Sequence, residues 1–499
     1  MLKKNLIANF AGSGWSALMG LAFIPFYIHL LGAEAYGIVG VFSLLQATFA
    51  VLDLGLSQTL SREMARLSAE RGNADLMADT ARTLEIIYWG IALGVAAVII
   101  LLSDFMAYRW LNPELLSRES LVQALWLMGV VVGLRWPVAL YMGGLNGLQR
   151  QVAVNVLLIV FTTLQGGGSL ALLWFLEPTL KVFFLWQAFV ALVQAVVLRG
   201  VLWRSLASDR AGEFRRDVLK SIWRFAMGVS GISFLAIILM QADKLLLSKL
   251  LTLSEFGYYT FAASAAGILQ RVFAPVFTVY YPRLTELVSK NDQSKLATIY
   301  HQGCQLMAAV VFPLALCMTM FSTEILELWT RNPQLVSQAS VVMAFLVVGN
   351  MLGGLMNMPY ALQLSCGWTR LTFYANLVAV VILVPAIYYA TQRWGKVGAA
   401  SVWIVLNAGY LLFYIPFMHR HLLVGEKWRW YVDDVGKPLL AALTVVGLGR
   451  LLTLGLGQNY EIVIWLIVIF CSATMAAVGA SNYLRPLIFS PLSKNLKRI

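Results

Sequence analysis

The stretch LLGAEAYG at Leu30–Gly37 returns as LLTLSEFG at Leu250–Gly257, 220 residues further along the chain. Three more landmarks follow each copy in the same order, at offsets of 221 or 222 residues. Arg62 corresponds to Arg283, Pro137-Val-Ala-Leu140 to Pro359-Tyr-Ala-Leu362, and Asn155 to Asn376. Four landmarks at a nearly constant offset indicate that the chain consists mainly of two similar halves.

The composition is that of an integral membrane protein. The 499 residues are 60% hydrophobic and only 12% charged, whereas soluble domains are about 25% charged. A membrane-spanning helix needs about 20 consecutive apolar residues, and long apolar runs recur along the whole chain. They predict an all-α protein of about fourteen transmembrane helices, near 6–30, 35–60, 82–103, 119–145, 152–176, 180–203, 220–250, 254–282, 297–321, 336–362, 371–391, 396–418, 432–455 and 460–484.

The repeat predicts how these helices are organised. Six helices fit between equivalent points, and an even number preserves the direction through the membrane. The repeat is therefore parallel, with its axis along the membrane normal. We expect a six-helix lobe at 1–205, a second at 206–425, and an accessory segment at 426–499 with helices thirteen and fourteen and a cytoplasmic tail. In transporters of this kind, substrate binds between two such halves.

The basic residues predict the orientation. Of the 37 Lys and Arg residues, 26 fall in loops on one side of the predicted membrane and 8 on the other. Cytoplasmic loops carry the excess of Lys and Arg, so both termini are expected in the cytoplasm. The net charge of +13 is then mainly an orientation signal, and nucleic acid is not an expected partner.

Three basic residues remain inside predicted helices: Arg135, Lys244 and Arg271. Charges at mid-membrane are costly and usually mark a functional path. Arg also suits bidentate contact with phosphate. These residues therefore predict a central cavity for an anionic, phosphate-bearing substrate. The structural alternative, in which Arg135 pairs with Asp53, Arg271 pairs with Asp243 and Lys244 reaches the membrane surface, stays open.

Acidic residues in the predicted helices are candidates for ion coupling. They are Asp53, Asp243 and Glu34. The sequence contains no nucleophile motif and no Walker sequence, and its four histidines form no metal-ligand pattern. We expect a protein that is not an enzyme, has no cofactor, and draws on a proton, sodium or substrate gradient.

The chain resembles bacterial flippases that export O-antigen and exopolysaccharide precursors, which belong to the multidrug/oligosaccharidyl-lipid/polysaccharide exporter superfamily. The resemblance covers the whole chain and rests on loose patterns. They are Asn9…Pro25…Leu31-Gly32…Tyr36-Gly37, Asp53-Leu-Gly-Leu56 before Arg62, Pro137…Gly147-Leu-Gln-Arg150…Asn155, Asp243, Phe256-Gly257-Tyr258 and Tyr281-Pro282-Arg283.

The resemblance implies a substrate and a setting. The substrate would be an undecaprenyl-diphosphate-linked oligosaccharide, moved from the inner to the outer leaflet of the bacterial cytoplasmic membrane by alternating access. It also implies a cationic cavity between the lobes, coupling to protons or sodium in some members, and polysaccharide polymerase and chain-length proteins as partners.

Other functions remain open at this point. A drug or cation antiporter of the same fold would favour acidic residues in its cavity, and a lipid II flippase differs too little to be separated by sequence. A membrane glycosyltransferase or polymerase would need long polar outer loops, whereas the predicted outer loops are short.

Overall fold

The computed structural model describes residues 2–53, 55–69, 73–206, 210–217, 239–453 and 459–486. These residues form helices and no strand, which confirms the predicted fold class. In chain order the helices begin with α1 (Leu2–Ala22), α2 (Ile24–Leu31), α3 (Ala33–Phe49), α4 (Leu56–Ser68), α5 (Ala74–Leu101), α6 (Arg118–Gly147), α7 (Gln151–Thr163), α8 (Ser169–Phe175), α9 (Leu180–Ser205) and α10 (239–250).

Further helices follow along the chain. They are α11 (Leu253–Ala266), α12 (Ile268–Ser289), α13 (Gln293–Met320), α14 (Ser322–Thr330), α15 (Pro333–Leu355), α16 (Asn357–Ser365), α17 (Thr369–Gly409), α18 (Ile415–His419), α19 (Lys437–Leu452) and α20 (Asn459–Gly479). Single wider, π-helical turns join or extend some of them, at Met106–Trp110, Leu164–Gly168, Tyr410–Tyr414 and Trp430–Gly436.

Eleven helices of the described residues are long and apolar enough to cross a membrane. One of them, Thr369–His419, is 51 residues long and breaks at Gly395, whose φ of 57° and ψ of −143° are not helical. It therefore supplies two of the predicted spans. With this helix counted as two spans and the shorter apolar helix α3 added, the described helices account for thirteen of the predicted spans. Most of the predicted seventh span, 220–250, lies outside the described residues. The total of fourteen stays a prediction.

The second predicted span, 35–60, is broken in the structure. Helix α3 ends at Phe49, a short 3-10 turn follows at Ala50–Asp53, and α4 continues to Ser68. Gly55 has a φ of +75°, a conformation that glycine adopts without steric cost. The break places Asp53 at the junction between two helices instead of within one.

The chain divides into two compact units, Met1–Gly257 and Tyr258–Ile499. In the first, α6 is the central helix and packs against α4, α5 and α9. A Cβ on Gly147 would lie 2.2 Å from the carbonyl oxygen of Ser61, so glycine lets α6 and α4 approach closely. In the second unit, α13 packs against α12, α15, α19 and α20. The predicted lobe boundaries at 205 and 425 stay predictions.

The repeated stretch forms a reciprocal contact within the first unit. A Cβ on Gly37 would lie 2.3 Å from the carbonyl oxygen of Leu253, and one on Gly257 would lie 2.1 Å from that of Ala33. Gly37 is equivalent to Gly257 in the repeat, and Ala33 to Leu253. The starts of α3 and α11 therefore contact each other through equivalent positions of the two copies of the repeat. A glycine lies at each point where one backbone meets the other.

Candidate functional site

The first unit contains a cavity of about 190 Å³ beside the break in the second predicted span. It brings together two residues that the sequence singled out, Arg135 from α6 and Asp53 from the turn after α3. The remaining lining residues are Gln46, Ala50, Tyr88, Val132, Trp136 and Ala139. One cation and one carboxylate thus share an otherwise largely apolar chamber.

The contacts that Arg135 makes are with neutral groups. Its Nη2 donates a hydrogen bond to Oε1 of Gln187, and its guanidinium carbon lies 5.3 Å from the centre of the Phe42 ring. Gln187 is itself held, because its Nε2 donates to Oγ of Ser169 over 2.9 Å. The Nε of Arg135 is buried without a hydrogen-bond partner. Its guanidinium therefore retains an unused donor, which a negatively charged ligand would satisfy.

Asp53 is held by partners other than this arginine. Its carboxylate accepts hydrogen bonds from the hydroxyl of Tyr88 and, over 2.9 Å, from Oγ of Ser57. Across the described ranges, no salt bridge within 4.0 Å joins Asp53 to Arg135. The structural alternative raised for Arg135, a fixed pair with Asp53, is thus not the arrangement found.

A buried carboxylate that the sequence analysis did not identify is Glu85 of α5. Its side chain accepts hydrogen bonds from Arg199 at 2.6 Å, from the hydroxyl of Tyr141 at 2.7 Å, and from Arg82 at 2.9 Å. The residue is only 2% exposed. The signal available was its spacing of three residues from Arg82, which places both on one helical face. Glu85 joins α5, α6 and α9 into one polar network.

Asp79, six residues before Glu85 on α5, binds residues 210–217. Its Oδ1 accepts from the backbone N–H of Glu213 at 2.8 Å and from Nη2 of Arg210 at 3.3 Å. A Cβ on Gly212 would lie 2.2 Å from the carbonyl oxygen of Ala78, so this segment lies directly on the helix. The sequence reasoning missed Asp79 because the third span was predicted to begin at 82, whereas α5 begins at Ala74.

Glu34, predicted as an ion-coupling residue, has structural partners at the start of α3. It is 5% exposed. Its carboxylate accepts hydrogen bonds from the backbone N–H groups of Glu114, Leu115 and Leu116 at 2.6, 2.8 and 3.3 Å. The carboxylate therefore fixes the loop between Trp110 and α6.

The other predicted site residues are not among the residues that line the described cavity. Lys244 lies on α10 and is half-buried, and its neighbour Asp243 is 4% exposed. Arg271 lies on α12 in the second unit, is exposed, and has no hydrogen bond or salt bridge with any residue the structure describes. A convergence of these residues with Arg135 stays a prediction.

Comparison with known proteins places the fold and the family. The profile of the family described as "Polysaccharide biosynthesis protein" matches residues 2–288, and that of the MatE family matches residues 229–389. A curated relative from Shigella flexneri, named "Putative O-antigen transporter", is 17% identical over 408 residues, which covers 81% of this chain and 95% of that protein.

Solved structures share the fold at low identity. The lipid II flippase MurJ in an inward closed conformation superposes with a TM-score of 0.72 at 12% identity, covering 98% of this chain and 99% of its own. An inward-facing multidrug resistance transporter of the MATE family gives 0.66 at 14% identity, covering 82% and 96%. The chain is a multi-pass membrane transporter and not an enzyme. It belongs to the polysaccharide biosynthesis protein family of the multidrug/oligosaccharidyl-lipid/polysaccharide exporter superfamily.

Proposed function

We propose that this protein moves an undecaprenyl-diphosphate-linked oligosaccharide from the inner to the outer leaflet of the bacterial cytoplasmic membrane, for O-antigen or exopolysaccharide assembly. The observation that carries the proposal is Arg135, a cavity-lining guanidinium whose contacts are with neutral side chains and whose Nε is a buried donor without a partner. A diphosphate supplies the negative charge and the acceptor oxygens that this group lacks.

The family and its relatives support this substrate class. The matched profile is that of polysaccharide biosynthesis, and the curated relative is named for O-antigen transport. We propose that Arg271 and Lys244 contact the same ligand at another stage of transport. We also propose that both termini face the cytoplasm, as the Lys and Arg bias of the sequence predicts.

The alternatives differ in the charge they require. A cation antiporter would favour acidic residues in its cavity, whereas this cavity holds one carboxylate and one cation, and the cation, Arg135, has an unused buried donor. The cavity therefore favours an anion over a cation. Lipid II also carries a diphosphate on a polyprenyl chain, so the cavity described here does not distinguish it from an oligosaccharide carrier.

A complementation experiment tests the proposal. Arg135→Lys, Arg135→Gln and Arg135→Ala are expressed at equal membrane levels in a strain that lacks its own polysaccharide flippase, with Arg150→Gln as the control. Arg150 is exposed in the turn between α6 and α7. We expect polysaccharide assembly to decrease from wild type to Lys and then to Gln and Ala, because Lys retains charge but not the bidentate donor geometry.

The outcomes separate the candidates. Full assembly with Arg135→Ala would contradict the phosphate contact. Rescue of a strain depleted of its lipid II flippase, without rescue of polysaccharide assembly, would favour lipid II as the substrate. Variants that fail to accumulate in the membrane would indicate a structural role for Arg135.

Ion coupling is tested separately at the three carboxylates. We propose Asp53 and Asp243 as coupling residues, with Glu34 as the third candidate. Transport in vesicles is measured for Asp53→Asn, Asp243→Asn and Glu34→Gln with and without an imposed proton or sodium gradient. A variant whose transport responds to the gradient as wild type does has no coupling role.

A further inference from the structure

A buried histidine in the second unit lies between two carboxylates. His301 of α13 is 0% exposed, and each of its ring nitrogens faces a different acid. Nδ1 contacts Oδ2 of Asp434, which is also 0% exposed, and Nε2 lies 3.1 Å from Oε2 of Glu426. Both acids precede α19, so the three groups join the central helix of this unit to the C-terminal helix pair.

Counting hydrogens shows what this arrangement requires. A neutral imidazole has one N–H and one lone pair, and an ionised carboxylate can only accept. With a neutral histidine and two ionised acids, one ring lone pair would face a carboxylate lone pair in a buried site, which is costly. One additional proton removes the conflict, whether it makes His301 an imidazolium or protonates one of the acids.

The surrounding charges agree with this count. Arg429 donates to Glu426 over 3.4 Å, so the group with two ionised acids and one arginine has a net charge of −1, and one proton makes it neutral. Gln305 donates to Oδ1 of Asp434 over 2.9 Å. The remaining titratable groups nearby are Tyr300, Cys304, His419, Tyr431 and Tyr483.

The cluster also binds the end of the last helix. Oε1 of Gln305 accepts the backbone N–H of Tyr483 over 2.9 Å, and Arg429 donates to the hydroxyl of the same tyrosine. Residues before α19 and after α20 therefore meet at one point on α13. The presence or absence of the extra proton at the histidine site therefore affects how firmly the helix pair is attached to α13.

We propose that His301, Asp434 and Glu426 form a proton-binding site that attaches the C-terminal helix pair to α13. A metal ion does not fit the arrangement, because the two ring nitrogens point to separate acids. Among the described residues, no group of three metal-ligating side chains surrounds a common point. The site shares no residue with the cavity at Arg135.

The most direct test is spectroscopic. The chain has only four histidines, so nitrogen-15 labelling of histidine gives few signals, and His29→Gln and His421→Gln help to assign them. The spectra are recorded at about pH 7.5, above the ordinary histidine pKa of about 6.5. We expect His301 then to show two ring N–H protons, or infrared spectra to show a protonated acid that Asp434→Asn or Glu426→Gln removes.

A stability experiment provides a second, independent readout. Because the folded protein holds a proton that the unfolded chain releases near neutral pH, stability falls as the pH rises through the titration of the site. We expect the melting temperature of wild type to fall between about pH 6 and about pH 9. The double variant Asp434→Asn/Glu426→Gln should lose much of that dependence, since amides satisfy a neutral imidazole.

Asp433→Asn is the matched control. Asp433 adjoins Asp434 but pairs with Lys437 over 2.5 Å, so the control should keep the wild-type pH profile. A neutral His301 beside two ionised acids throughout this pH range would overturn the proposal. The same holds for a double variant whose pH profile equals that of Asp433→Asn.

Discussion

The reciprocal contact between Gly37 and Gly257 gives a prediction whose magnitude follows from the structure. Replacing Gly37 with alanine places a Cβ 2.3 Å from the carbonyl oxygen of Leu253, whereas ordinary contact begins at 3.4 Å. The neighbour is backbone and cannot rotate away, so α3 and α11 must separate by about 1 Å. Overpacking of this kind costs about 1–3 kcal/mol. We expect Gly37→Ala and Gly257→Ala each to destabilise the protein by that amount.

The assay is thermal unfolding of the purified protein, with Gly94→Ala as the control. No atom lies within 4 Å of the Cβ that this control adds, and alanine is the better helix former by about 1 kcal/mol. The control should therefore melt at or above the wild-type temperature. Gly37→Ala and Gly257→Ala should both melt below it.

The double variant tests whether the two glycines form one contact. Once the first methyl group has pushed the helices apart, the second finds part of the space already open. The combined penalty should be smaller than the sum of the single penalties, by about 0.5 kcal/mol or more. Equal melting of Gly37→Ala and the Gly94→Ala control, or strictly additive penalties, would refute the reasoning.

Further predictions concern the polar contacts of the first unit. Glu34→Gln should weaken the attachment of the loop before α6 by about 1.5–3 kcal/mol, because hydrogen bonds to a charged acceptor are stronger. Proteolysis of that loop should therefore be faster in Glu34→Gln than in the control Glu114→Gln, and equal rates would contradict the prediction. Asp79→Asn should weaken the attachment of residues 210–217 to α5, measured as increased hydrogen exchange of the Glu213 amide; unchanged exchange would show that Asp79 does not hold it. Reporter fusions after Leu206 and at the C-terminus should both read cytoplasmic, and a periplasmic reading at either would mean a miscounted helix.

The helical architecture was predictable because it depends on long apolar runs. The predicted span 119–145 corresponds to Arg118–Gly147, and 180–203 to Leu180–Ser205. The break after α3 was not predicted, because hydropathy does not respond to the left-handed turn at Gly55. Boundaries defined by polar contacts were also missed, as at the start of α5.

The site was predictable only where a charge stood out in an apolar run. Arg135 and Asp53 were identified in this way and line one cavity. His301 and Asp434 are 133 positions apart, and no local spacing relates them. The repeat identified Gly37 and Gly257 as equivalent positions, but equivalence does not predict contact. Contacts between distant segments depend on how helices pack, which a single sequence does not display.

The most direct test of the central claim is transport by the purified protein. Wild type, Arg135→Gln and Arg150→Gln are reconstituted in vesicles with an undecaprenyl-diphosphate-linked oligosaccharide, and its appearance in the opposite leaflet is measured. Losing a charge-assisted hydrogen bond costs about 1.5–3 kcal/mol. We therefore expect Arg135→Gln to bind substrate about tenfold to a hundredfold more weakly and to transport it correspondingly less at limiting substrate, while Arg150→Gln matches wild type. Transport by Arg135→Gln equal to that of wild type would contradict the account.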